Sequence, residues 1–177
     1  NNKKLNNTNS FKYESLELYF NIVDKLQEGV NVSEEEWEAL FNTETHRNYF
    51  KDNGTTEAMK NAMKESVIVA FTEKNDSIIN LKAQQNPSIL FQQQYKKNYD
   101  EIKAFGQSLL KNPEDYKNAM TELAKKFLPK RMHDFKDFPT IHFIVFGEPS
   151  SGNMGIYLDL STEYECSQIK YASMAAQ

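Results

Sequence analysis

From Phe11 to Glu28 the apolar residues Leu16, Tyr19, Phe20, Val23 and Leu26 recur at steps of three and four, which predicts a helix stopped by Gly29. In "NVSEEEWEALF" Ser33 caps the next helix and Glu36 completes a capping box, with Trp37, Leu40 and Phe41 as its buried stripe. Asn53 and Gly54 signal a turn, after which Thr55 or Thr56 caps a third helix carrying Met59, Met63, Val67, Ile68, Ala70 and Phe71. A polar break at "EKNDS" leads into a short helix or turn, "IINLKAQQ". Asn86 and Pro87 then open one long helix reaching Leu110, through Ile89, Leu90, Tyr95, Tyr99, Ile102, Phe105 and Leu109. The same device recurs at Asn112 and Pro113, opening a helix with Tyr116, Met120, Leu123 and Phe127 inside and Pro129 as its stop.

At Pro139 the period changes. "TIHFIVFG" is β-branched and aromatic and reads as a buried strand, "EPSSGN" as a loop. "MGIYLDLS" alternates Ile156, Leu158 and Leu160 inward against Tyr157 and Asp159 outward, the pattern of a half-buried strand. "ECSQIKYASMAAQ" returns to helix, with Ile169 and Met174 available for burial. The fold class is α+β, predominantly helical: an N-terminal helical region, a short β-sheet segment and a C-terminal helix. The expected organisation is a tether over 1–10, a helical region over 11–138, and a strand pair with the start of a helix over 139–177.

The chain has 177 residues and is 39% hydrophobic and 26% charged, within the range of a folded domain that buries a core. Its net charge of −4 is spread in alternating signs, and the short "KKFLPKR" reads as a helix end, so nucleic acid is not an expected partner. No apolar run is long enough to span a bilayer. A single cysteine, Cys166, excludes an internal disulfide framework. The opening "NNKKLNNTNS" fits the polar tether behind a removed export signal, so the expected location is extracellular or the cell envelope, with the cytoplasm as alternative.

No complete catalytic set is legible. His142 sits among apolar strand neighbours and reads as packing, His133 pairs with adjacent Asp134, and His46 reads as helix surface. No two histidines share a helix face, so spacing assembles no zinc site. The carboxylates of "SEEEWE" and "YDEIK" read as salt-laced helix faces, and Asp159 as an outward strand residue. Ser150, Ser151, Gly152 and Asn153 form a small loop without the length or the lysine of a phosphate-binding loop. Catalytic and metal residues are therefore assigned to none.

The terminal order does carry a likeness. A buried strand "IHFIVFG", a small-residue loop, a second strand "GNMGIYLDLS", a short acidic link and a helix "YASMAAQ" resemble the approach to the active-site helix of zincin-like peptidases of the gluzincin type. The resemblance, carried by 140–177, implies a zinc-dependent peptidase whose helix continues into an HExxH motif. That motif is absent from the sequence. Zinc and its ligands would then belong to a longer chain, and no cofactor is expected within this one. The resemblance further implies that the strand Gly152 to Leu160 is a sheet edge against which a peptide or protein substrate lies. Asn153, Met154, Gly155, Ile156 and Tyr157 would be the substrate-binding residues, Gly155 giving room for the peptide backbone. Two other readings stand beside it: a non-enzymatic helical module of an exported bacterial protein that binds peptides or proteins, and a small enzyme using Cys166 with a distant histidine.

Overall fold

A computed structural model describes residues 11–127, 129–130 and 140–175. The elements run β1 (Phe11–Lys12), α1 (Glu14–Gln27), α2 (Glu34–Phe41), α3 (Glu44–Asp52), α4 (Glu57–Thr72), α5 (Asp76–Gln85), α6 (Ser88–Lys97), α7 (Tyr99–Lys111) and α8 (Pro113–Phe127). They are followed by β2 (Ile141–Ile144), β3 (Ser150–Gly152), β4 (Gly155–Asp159) and α9 (Leu160–Ala175). The fold is α+β and predominantly helical, as the hydrophobic spacing predicts. The expected tether over 1–10, and His133 with Asp134, lie outside the described residues.

Local chemistry explains the helix boundaries. Ser33 and Glu36 form both halves of the capping box, and Thr56 caps α4 through the Met59 N–H. Asn75 caps α5 by accepting from Ser77 and Ile78. The long helix expected from Pro87 to Leu110 is two helices, because Asn98 leaves helical geometry at φ −126°. Asn86 does not cap α6: its side-chain amide donates instead to the Ala62 carbonyl of α4, at 2.8 Å.

One four-stranded sheet, in the order β1-β2-β4-β3, joins the two ends of the chain. β1, β2 and β4 are parallel, while β3 runs antiparallel on β4. Phe11 and Lys12, expected as the start of the first helix, instead pair with Ile141 and His142. Ile141, Phe143, Ile156 and Leu158 enter the main core, with Leu16, Phe20 and Val23 of α1, Tyr99 and Ile102 of α7, and Tyr116 of α8. On the opposite face Ile144 and Tyr157 pack against Tyr49 and Phe50 of α3. A smaller cluster, Val69, Ile79, Ala83 and Ile89, joins α4, α5 and α6.

Because helices cover both faces, the expected polarity of β4 is reversed. Tyr157 and Asp159 are fully buried, whereas Ile156 and Leu158 are only half-buried. Period-two alternation identifies the two faces of a strand but not which one is covered. Ile169, read as available for burial, is exposed.

Gly155 is fixed by its surroundings. Its φ is +153°, and a Cβ there would stand 2.6 Å from the Thr140 carbonyl oxygen and 2.9 Å from the His142 ring. The expected room for a substrate backbone is thus filled by the chain's own β2. Gly155→Ala should cost about 3 kcal/mol, combining backbone strain with overpacking. A urea unfolding midpoint equal to that of the parent protein would contradict this account.

Candidate functional site

The β3–β4 hairpin is stapled to the C-terminal end of α3 by one carboxylate. Asp52 Oδ2 accepts the Met154 N–H at 2.8 Å and the Tyr157 hydroxyl at 2.6 Å. Gly152 permits this contact, since a Cβ there would lie 2.6 Å from the Asp52 carboxyl carbon. Asn53 donates to the Ser150 hydroxyl at 3.4 Å, so the end of α3 overlies the face of β3 to which Ser150 and Gly152 point. Burial, followed by the Asp52 carboxylate, raises the Tyr157 phenol above its ordinary range, and it stays a donor.

The outer edge of the sheet is β3, not β4. β4 lies between β2 and β3, so the strand expected as the substrate edge is interior. The sequence reading missed β3 because "SSG" carries neither β-branched nor apolar residues. Hydrogen-bond direction identifies the open groups. The Ile156 N–H donates to the Thr140 carbonyl at 2.8 Å and so points toward β2. Its neighbours Gly155 and Tyr157 therefore direct their backbone groups toward β3, pairing with Gly152 and Ser150. Alternation then turns the N–H and C=O of Ser151 outward, and Ser151 is exposed. Of the five residues expected to bind substrate, Asn153 and Met154 form the exposed hairpin tip, while Gly155, Ile156 and Tyr157 support the edge from inside the sheet.

At the other end of β4, Asp159 governs the turn into α9. Its Oδ2 accepts the Thr162 N–H at 3.0 Å, the Thr162 hydroxyl at 2.8 Å and the Ser161 hydroxyl at 2.5 Å, which caps the helix. Its Oδ1 accepts from the buried Tyr95 hydroxyl of α6. The sequence reading placed Asp159 outward and began the helix later; the cap lets α9 start directly after the strand. The available signal was Asp159 followed three residues on by Thr162 at a strand-to-helix junction.

The family model described as "Putative zinc dependent peptidase (DUF5700)" matches residues 37–176, from α2 through α9. The chain belongs to this family. Nothing among curated proteins or solved structures matches it.

Membership in a family so described makes the histidines the residues to test for metal binding. His46, expected on a helix surface, is fully buried, with Nδ1 3.2 Å from the Leu40 carbonyl and its ring 5.2 Å from that of Phe146. His142 is buried too, its Nδ1 2.9 Å from the Thr45 hydroxyl and its ring stacked on Tyr157 at 5.3 Å. The Nε2 atoms of both rings are buried without a hydrogen bond, although the Met154 backbone lies close enough to His142 to favour its protonation. Bare nitrogens of this kind could serve as ligands, but among the described residues no three of His, Cys, Asp and Glu gather to hold an ion. The described residues therefore do not fit a zinc centre. Cys166 is exposed, and no helix among the described residues is long and apolar enough to cross a membrane.

These buried groups make stability depend on pH. Burial pushes His46 down to about 3, and also lowers His142. The native state then refuses protons that the unfolded chain accepts below its ordinary histidine range near 6.5, so stability is lost as pH falls from there toward about 3. Burial raises Asp159, which acts in the opposite sense: its contribution is greatest below the ordinary carboxyl range and declines as pH rises through its folded pKa. Between pH 7 and pH 5 the parent protein should lose about 2 kcal/mol through His46. Urea titrations of the parent and of His46→Gln isolate this share, because Asp159 and His142 are common to both. Equal pH dependence in the two proteins would refute it.

Proposed function

We propose that this chain is the scaffold and substrate-binding portion of a zinc-dependent peptidase of the gluzincin type. The zinc ligands and the general base lie outside the described residues. An extended peptide adds to the sheet at β3, meeting the outward N–H and C=O of Ser151, with Asn153 and Met154 beside it at the hairpin tip. The observation that carries this reading, beyond family membership, is the open Ser151 backbone on a hairpin fixed by Asp52. Strand addition suits a peptidase, because backbone pairing holds the substrate extended while its side chains supply selectivity.

The reading is tested on the intact protein. Zinc should be present at one ion per chain, peptide hydrolysis should disappear on chelation, and zinc should restore it. His46→Gln and His142→Gln, each shown to unfold cooperatively, should retain full zinc content. Absence of zinc from the parent protein would overturn the peptidase reading, and loss of zinc from either variant would overturn the placement of the ligands.

A further inference from the structure

We propose that the β3 edge selects an extended peptide with a basic side chain at the position facing Gly152. The inference rests on the strand-addition reading above and adds a substrate class to it.

A strand pairing with Ser151 places one residue opposite it, whose side chain points to the same face as Ser151, away from α3. The next peptide residues face Ser150 and Gly152, and their side chains point to the side where α3 ends. There the residue across from Gly152 meets Asp52, which overlies that glycine. Asp52 Oδ2 is occupied by Met154 and Tyr157, while among the described residues Oδ1 accepts no hydrogen bond. The carboxylate is thus held in place on one oxygen and open on the other. Its neighbour Lys51 is exposed and forms no ion pair with it among the described residues. At the far end of the edge Glu148, two residues before Ser150, is also exposed. Both carboxylates belong to a chain of net charge −4. A lysine or arginine can donate to the free Oδ1 while its stem lies over the glycine; an acidic residue in the same place meets like charge.

The short edge makes this contact decisive. One outward residue gives an incoming strand a single donor and acceptor, too little for tight binding by backbone alone, so side-chain contacts must rank the ligands. The full chain is titrated by calorimetry with three capped hexapeptides, identical except for lysine, norleucine or glutamate at one central position. Lysine should bind about three- to fivefold more tightly than norleucine, and glutamate more weakly than either. Asp52→Asn keeps an oxygen for Met154 and Tyr157 and should preserve the unfolding midpoint while erasing the lysine preference. Ser151→Pro removes the outward N–H while also fixing φ at about −65°, and, once shown to keep the parent unfolding midpoint, should weaken all three peptides together. Equal affinities with an unaltered Ser151→Pro response would overturn the basic preference and leave strand addition standing. Absence of binding by every peptide, or indifference to Ser151→Pro, would overturn both.

Discussion

The structure depends on a carboxylate kept out of water. Asp159 is fully buried at the point where β4 becomes α9, and burying such a group is costly unless its oxygens are satisfied. Tyr95, Ser161 and Thr162 satisfy them, from α6 and from the first turn of α9. The Tyr95 hydroxyl also lies 3.4 Å from the Ile144 carbonyl and accepts the Ser161 N–H at 3.3 Å. A helix, two strands and the succeeding helix thus share one set of bonds. Beside it Tyr19 of α1 donates to Gln92 of α6 at 2.6 Å, and Gln92 donates to the Val145 carbonyl at 2.8 Å. The region just past β2, where an open parallel sheet commonly receives a ligand, is filled by the chain's own polar side chains.

Two aspartates at the two ends of β4 illustrate how one residue type serves different ends. Asp159 has every oxygen engaged and no access to solvent, so its role is to fix the strand-to-helix turn. Asp52 is half-buried, bonds the hairpin through one oxygen and keeps the other open. Removing a partner of the first would strand a buried polar group, at about 1–3 kcal/mol for each neutral hydroxyl left unpaired. Removing the charge of the second leaves the hairpin bonds available to an amide oxygen. The two carboxylates thus differ in exposure: one is sealed inside the strand-to-helix turn, and the other holds the hairpin with one oxygen left open.

Much of the helical region was legible from local rules. The capping box at Ser33, the cap at Thr56 and the Asn112–Pro113 start each depend on residues within one turn, and each marks an observed helix. Failures arose where distant parts of the chain decide the outcome. Asn86 spends its side chain on α4; Phe11 and Lys12 join a strand supplied by the other end of the sequence. His46 carries an ionisable ring, which favours a surface assignment, yet α3 packs that side against Phe146. The candidate edge was read one strand too far inward for a related reason. "SSG" lacks strand propensity and pairs only because the turn at Asn153 and Met154 folds it back on β4. Zinc dependence entered through resemblance and family membership, and no described cluster of ligands expresses it.

The weak propensity of β3 has a physical use. A long apolar edge would pair with other chains, whereas two serines and a glycine expose one peptide group and give little area to an unwanted strand. Such an edge cannot hold a peptide by backbone bonding alone. On the reading proposed above, discrimination falls to groups fixed near the edge, and Asp52 is fixed because Gly152 lets it descend onto the sheet while Tyr157 and Met154 hold it there. The glycine that weakens the strand is the same residue that admits the carboxylate. Poor strand chemistry and a fixed carboxylate thus follow from a single small residue, and any side chain at that position would displace the carboxylate.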